Sequence, residues 1–170
     1  MQGKNNVIAA QEQRVYDVLA ELKIPYERHE HPPVFTVEEA NVHWAGIEAA
    51  HCKNLFLRNK KGTRHYLVIL EHARQADLGR LVDRLGDDRL SFASPERLLT
   101  HLGLTPGAVS PFGLINDRAH QVQVVIDACL QGATRIAFHP NVNTATIVVA
   151  WADFQRFLAW CGNQVRYITI

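Results

Sequence analysis

Hydrophobic positions along the chain alternate between helical and strand-like spacing. Val15, Val18, Leu19 and Leu22 recur at helical spacing and predict a first amphipathic helix from about Ala9 to Leu22, stopped by Pro25. A short strand is expected between Pro25 and Pro32. Thr36 and Glu39 form a capping-box pair, so a second helix should start there, with Val37, Ala40 and Trp44 on one face and Gly46 at its end. Two apolar runs, 52–58 and 64–70, flank the polar turn Asn59-Lys60-Lys61-Gly62-Thr63 and read as a hairpin. Leu78, Leu81, Val82 and Leu85 mark a helix that stops at Gly86. Ser94 as N-cap and Pro95 at the first helical position open another, with Leu98, Leu99 and Leu102 inward and Gly103 at its end. Strands are expected at 122–126, 135–138 and 146–150. Trp151, Phe154, Phe157, Leu158 and Cys161 then predict a last helix, and 164–170 a last strand. Several strands are joined by connections too short for helical crossovers. The expected fold is α+β, a mixed and mostly antiparallel sheet surrounded by helices.

Length adds one constraint: 170 residues fit a single domain, 1–170, and an apolar fraction of 47% can bury a sizeable core. Net charge is only +1, so a nucleic-acid partner would have to meet a local patch. The polar residues 1–6 lack the apolar run of a signal peptide, and no stretch of about 18 apolar residues occurs. A cytoplasmic chain without a membrane span is therefore expected. Cys52, Cys129 and Cys161 are far apart and odd in number, which fits a reducing compartment.

Candidate chemistry is sparse. Nine histidines raise the question of metal, but no H-E-x-x-H, no C-x-x-C and no carboxylate at a fixed offset supports a metal site. Ser110 lacks the G-x-S-x-G elbow, and Cys52 sits among apolar neighbours as a structural thiol would. No cofactor is implied. Pro106-Gly107-Ala108-Val109-Ser110-Pro111-Phe112-Gly113 carries no charge. It reads either as a connector or as a loop whose backbone N–H groups bind an anion or oxyanion. Lys53, at the start of an apolar strand, is either a snorkelling surface lysine or a point cation at a cleft, with Asn54 beside it supplying donors and an acceptor. In Phe138-His139-Pro140-Asn141 a strand ends on a histidine that either caps the strand or orients a small molecule. Arg58, Lys60, Lys61 and Arg64 gather at one hairpin tip, as a solvated turn or as a patch that tracks phosphates.

Four segments together resemble one family. Cys52-Lys53-Asn54-Leu55-Phe56-Leu57, Gly107-Ala108-Val109-Ser110-Pro111, Gly113-Leu114-Ile115-Asn116-Asp117 and Phe138-His139-Pro140-Asn141 are similar to the aminoacyl-tRNA editing domains. This superfamily includes YbaK and the insertion domain of bacterial prolyl-tRNA synthetase. Order and spacing look most like its freestanding prolyl-tRNA deacylases (PrdX or ProXp-ala). The resemblance implies hydrolysis of alanine from mischarged tRNA(Pro). It implies a lysine near the terminal adenosine at Lys53, followed by Asn54, and a carbonyl-holding loop from Gly107 through Ala108, Val109 and Ser110 to Pro111. It also implies an amino-acid pocket lined by His139 with Asn141 beside it. Partners implied are the acceptor end of tRNA(Pro), with prolyl-tRNA synthetase or an elongation factor as further candidates. YbaK-like members tend to carry two adjacent glycines where this loop reads Pro-Gly-Ala-Val-Ser-Pro, which weighs against cysteinyl-tRNA. Rival readings are a deacylase for cysteine or serine, and a non-catalytic module that binds tRNA or a synthetase.

Overall fold

A computed structural model describes residues 8–170, so the polar segment 1–6 lies outside the described residues. The elements follow the hydrophobic pattern closely. Helix α1 spans Ala10–Glu21, β1 Glu27–Glu30, α2 Val37–Trp44, β2 Ala50–Asn59 and β3 His65–Glu71. Then come α3 Leu78–Leu85, β4 Leu90–Phe92, α4 Pro95–Leu102, β5 Val122–Asp127, β6 Arg135–Phe138, β7 Ala145–Ala150, α5 Trp151–Cys161 and β8 Val165–Ile168. Local chemistry explains the boundaries. The capping box is formed in full at α2, where Thr36 Oγ1 accepts from Glu39 N and Glu39 Oε2 accepts from Thr36 N. Ser94 caps α4 ahead of Pro95, and Gly86 and Gly103 end α3 and α4 in left-handed conformation. Three features depart from the sequence pattern, the first being β4, a strand that the hydrophobic spacing does not predict. Helix α2 ends at Trp44, before Gly46, and Leu99 points outward with 58% exposure. Leu98 and Leu102 alone carry the buried face of α4.

Among the described residues eight strands form one sheet in the order β1-β7-β6-β2-β3-β5-β8, with β4 paired to β2. Four of the seven pairings are antiparallel and three (β2 with β6, β3 with β5, β5 with β8) are parallel. One face carries the larger core: Val15 and Leu19 of α1, Leu98 and Leu102 of α4, and Phe154 and Phe157 of α5 pack on Cys52, Phe56, Leu67 and Val124. The opposite face is covered by Leu81 and Leu85 of α3 over Leu57, Val68 and Leu70. Period-two alternation along β2 and β3 distributes side chains between these two cores. Among the described residues no helix is long and apolar enough to cross a membrane.

Strand β2 organises the site. Its outer edge pairs with β6 only at Ala50 and His51, and with β4 only from Leu57 to Asn59. Both neighbours leave β2 because of a proline. Strand β6 ends at Phe138 ahead of Pro140, and β4 gives way at Ala93 to the Ser94-Pro95 helix start. Between them the edge from Cys52 to Phe56 has no strand partner among the described residues. The Phe56 carbonyl accepts from Ala93 N on this side, whereas His51 O accepts from His72 N on the β3 side. Alternation then turns the backbone N–H and C=O of Asn54 into the gap.

Candidate active site

A cavity of about 220 Å³ fills this gap, lined by Lys53, Asn54, Gly107, Val109, His139 and Thr146 among others. It lies below the ~300 Å³ at which drug-sized ligand pockets begin, so its occupant is small. Lys53 and Asn54 leave opposite faces of β2, and both line the cavity because the edge between those faces is open. Lys53 makes no ion pair or side-chain hydrogen bond among the described residues. The Asn54 Nδ2 donates to Val109 O at 3.2 Å, which ties the 106–109 loop to the strand, while its Oδ1 is buried without a partner.

The loop has a specific shape. Ala108 N donates to Thr105 O at 3.1 Å, closing a turn with Pro106 second and Gly107 third at φ +89°. That is the type II arrangement, in which the third position requires positive φ. Gly107 and Val109 reach the cavity, but Ala108, Ser110 and Pro111 do not line it. Ala108 is buried and its N–H is used by the turn. Ser110 is fully buried and its Oγ accepts from Phe112 N, capping the 3-10 turn Pro111–Asn116. The cavity therefore meets only part of this chain segment, and the rest anchors it.

His139 lies where β6 ends, and its ring is held by one bond, Nδ1 to Ala145 O at 2.8 Å. A carbonyl only accepts, so Nδ1 carries the proton and Nε2 the lone pair. Burial, assisted by His31, holds the His139 pKa below the usual histidine value, against a raising effect of the Ala145 carbonyl. The ring is therefore neutral at pH 7. Asn141 follows at φ +62°, buried, with Oδ1 unpartnered, and shapes the turn after Pro140 without lining the cavity.

The cavity has parts that periodicity did not reveal. Thr146 of β7 accepts from Trp44 Nε1 at 3.3 Å and meets His31 Nε2 at 2.9 Å, and His31 Nδ1 donates to Pro32 O. This chain pins α2 and the segment after β1 onto β7. Phe35, 73% exposed, stands over Gly107 at the rim, its N–H held by Glu39. No aspartate or glutamate lines the cavity. Burial pushes the Cys52 thiol far above the usual range, so it is not a thiolate nucleophile at neutral pH. Among the described residues no group of three metal-ligating side chains could hold an ion.

The basic hairpin tip lies elsewhere. Lys60 is seven residues from Lys53 along β2, ~23 Å at strand rise. Arg58 Nη1 donates to the carbonyls of Asn59 and Lys60, and Arg64 lies 3.5 Å from Asp87. Lys60 and Lys61 remain exposed.

Comparisons with known proteins agree with this architecture. The aminoacyl-tRNA editing domain model matches residues 31–157. The chain is 44% identical over 160 residues to the prolyl-tRNA editing protein ProX of Acetoanaerobium sticklandii, covering 93% of this chain and 96% of that one. It is 39% identical over 159 residues to the prolyl-tRNA synthetase associated domain-containing protein 1 of Bos taurus, covering 92% and 91%. It is also similar, at 30% over 112 residues, to the multifunctional Ser/Thr-tRNA deacylase ProXp-y of Escherichia coli, covering 65% and 63%. A solved structure described as a candidate trans-editing enzyme for prolyl-tRNA synthetase shares the fold, with a TM-score of 0.71 at 20% identity over 96% of this chain and 99% of that one. The cavity in the β2 edge is thus set in the fold of editing enzymes, and the chain belongs to the aminoacyl-tRNA editing domain family, as an aminoacyl-tRNA deacylase.

Proposed function

We propose that the chain removes a wrongly attached amino acid from tRNA(Pro), and that alanine is the amino acid removed. The observation that carries this reading is the small cavity at the β2 edge, which offers a lysine, backbone amides and a neutral histidine but no carboxylate. An aminoacyl ester is already activated. Its hydrolysis needs a held carbonyl, an oriented water and donors for the developing oxyanion, without a dedicated nucleophile. In this reading the N–H groups of Gly107 and Asn54 receive the carbonyl oxygen. Lys53 fixes the nucleotide end, and His139 Nε2 accepts a hydrogen bond from the attacking water. Water adds to the carbonyl carbon, and the tetrahedral intermediate releases free amino acid and the tRNA hydroxyl. Val109 and His139 are the walls that admit a methyl side chain and clash with a proline ring. Such a second sieve is useful because a synthetase gains only about 1–3 kcal/mol against a substrate that lacks a methylene. Lys60 and Lys61 would meet phosphates further along the acceptor stem, as an electrostatic contribution that weakens with salt.

The names of the relatives, which concern prolyl-tRNA editing and prolyl-tRNA synthetase, support tRNA(Pro) as the carrier. The test is a deacylation panel: tRNA(Pro) charged separately with alanine, cysteine, serine and proline, each with and without chelator. Rapid, chelator-insensitive release of alanine with proline spared is expected. Fast release of proline would overturn the size-exclusion argument, and a preference for serine would move the substrate to a different small amino acid.

A further inference from the structure

A second hollow, of about 180 Å³, adjoins the first along β2 and shares Asn54, Gly107 and Val109 with it. Its own walls are apolar: Leu55 and Phe56 of β2, Phe92 of β4, and Pro95 and Leu98 of α4. Phe92 is 64% exposed, although it ends a strand whose first residue, Leu90, is buried. Phe92 pairs with Leu57 and shares its strand face with Leu90, both of the smaller core, yet it belongs to neither core.

We propose that this hollow is a nucleobase subsite, in which the terminal base of the tRNA stacks on Phe92. The inference rests on the deacylase reading, since it takes the aminoacyl group to occupy the first cavity. The ester then lies at the shared wall of Asn54 and Gly107, and the ribose must leave past that wall. Asn54 and Phe56 are ~7 Å apart along the strand, the scale of one sugar, so the base attached to that ribose falls at the strand edge beside Phe56, over Leu55 and the exposed ring of Phe92. The chemistry of the hollow suits a base. It offers an aromatic face and apolar edges, and it has no charged side chain to compete with the phosphates. Stacking on an aromatic ring is tolerant of base identity, so this subsite grips the 3′ end common to tRNAs and leaves discrimination between amino acids to the first cavity. Phe35, at the opposite rim, is the rival platform.

The experiment uses two readouts. The first is KM for alanyl-tRNA(Pro) with a normal terminal adenosine and with an abasic terminal ribose. Phe92→Ala should raise KM about tenfold on the normal substrate, the scale of one lost base–aromatic stack. That penalty should vanish on the abasic substrate, and Phe92→Trp should restore binding. The second readout is the fluorescence of an uncharged acceptor-stem RNA carrying 2-aminopurine at its 3′ end. Quenching on wild-type protein should be lost in Phe92→Ala and kept in Phe35→Ala. Equal KM values for wild type and Phe92→Ala, or loss of quenching only in Phe35→Ala, would overturn the subsite. The fluorescence requires no catalysis, so a protein that quenches the probe yet never releases alanine would refute the deacylase reading while retaining the base subsite.

Discussion

Lys53 and Gly107 act through different physics, and their substitutions should separate accordingly. Lys53 has no ion pair or side-chain hydrogen bond to lose among the described residues, so Lys53→Ala should leave the melting temperature unchanged. Its effect should fall on kcat/KM for alanyl-tRNA(Pro), by about 100-fold, the scale of one lost oxyanion or substrate-charge contact. Gly107→Ala places a Cβ 3.5 Å from the Phe35 ring, an ordinary contact, so space is not the obstacle. The obstacle is φ +89°, which costs an L-residue about 1–2 kcal/mol and drives the turn toward another shape. Deacylation should therefore fall together with a small loss of stability. Single-turnover deacylation and thermal melts on the same preparations check both expectations; a fully active Lys53→Ala would remove the lysine from the site. At this scale Gly107 and Lys53 were legible in the sequence, because proline before glycine and a lysine heading an apolar run are local signals. Thr146 and His31 were not. Each looks ordinary in its own segment, and they meet only after β1 and β7 pair.

The same distinction holds for the elements. Helices α2, α3 and α4 carry their start and stop signals within a few residues, so their positions were readable. Strand β4 was not, because three residues give no period, and it exists only through its pairing with β2. Leu99 follows its helix's apolar spacing but has no element above it to bury it. The segment after the loop shows how an element is held by a single residue. Asp117, buried, accepts from Gln121 N, Val122 N and Asn163 Nδ2, so one carboxylate joins the 3-10 turn, the start of β5 and the approach to β8. Asp117→Ala strands three donors, and a loss of about 3 kcal/mol or more is expected. Asp117→Asn should cost less, because one oxygen still accepts. Urea unfolding midpoints compare the two; near-wild-type stability of Asp117→Ala would show that water replaces the carboxylate.

Across the whole molecule, several buried or partly buried histidines give the fold a shared dependence on pH. Burial, then the neighbouring His101 and Arg97, pushes the pKa of His65 down to about 4. His51, His101 and His139 are lowered as well, each chiefly by burial. An unfolded histidine titrates near 6.5, so between about pH 6.5 and 4 the unfolded chain binds more protons than the folded one. The contribution of these histidines to stability therefore falls as pH drops through that interval and is flat above it. His65→Gln should flatten the acid limb of a plot of melting temperature against pH while leaving its shape above pH 7 unchanged. An identical acid limb in both proteins would show that His65 does not contribute. None of this is visible in the sequence, which singles out His139 as a candidate site residue but carries no signal for the burial of His51, His65 and His101.

The gap along β2 bears on the behaviour of the protein in concentrated solution. An unpaired strand edge is a template on which another chain can add, and proteins usually blunt such edges with charge, bulges or covering segments. Here the exposed stretch is confined between β6 and β4, too short for a foreign strand to establish a register, and the 106–109 turn is bonded across it through Asn54. The fold thus leaves this edge open to a small cavity while denying it to a polypeptide. A substitution that lengthened the opening, such as one that freed β4 from β2, would cost more than substrate selectivity: it would turn a binding site into a nucleus for self-association.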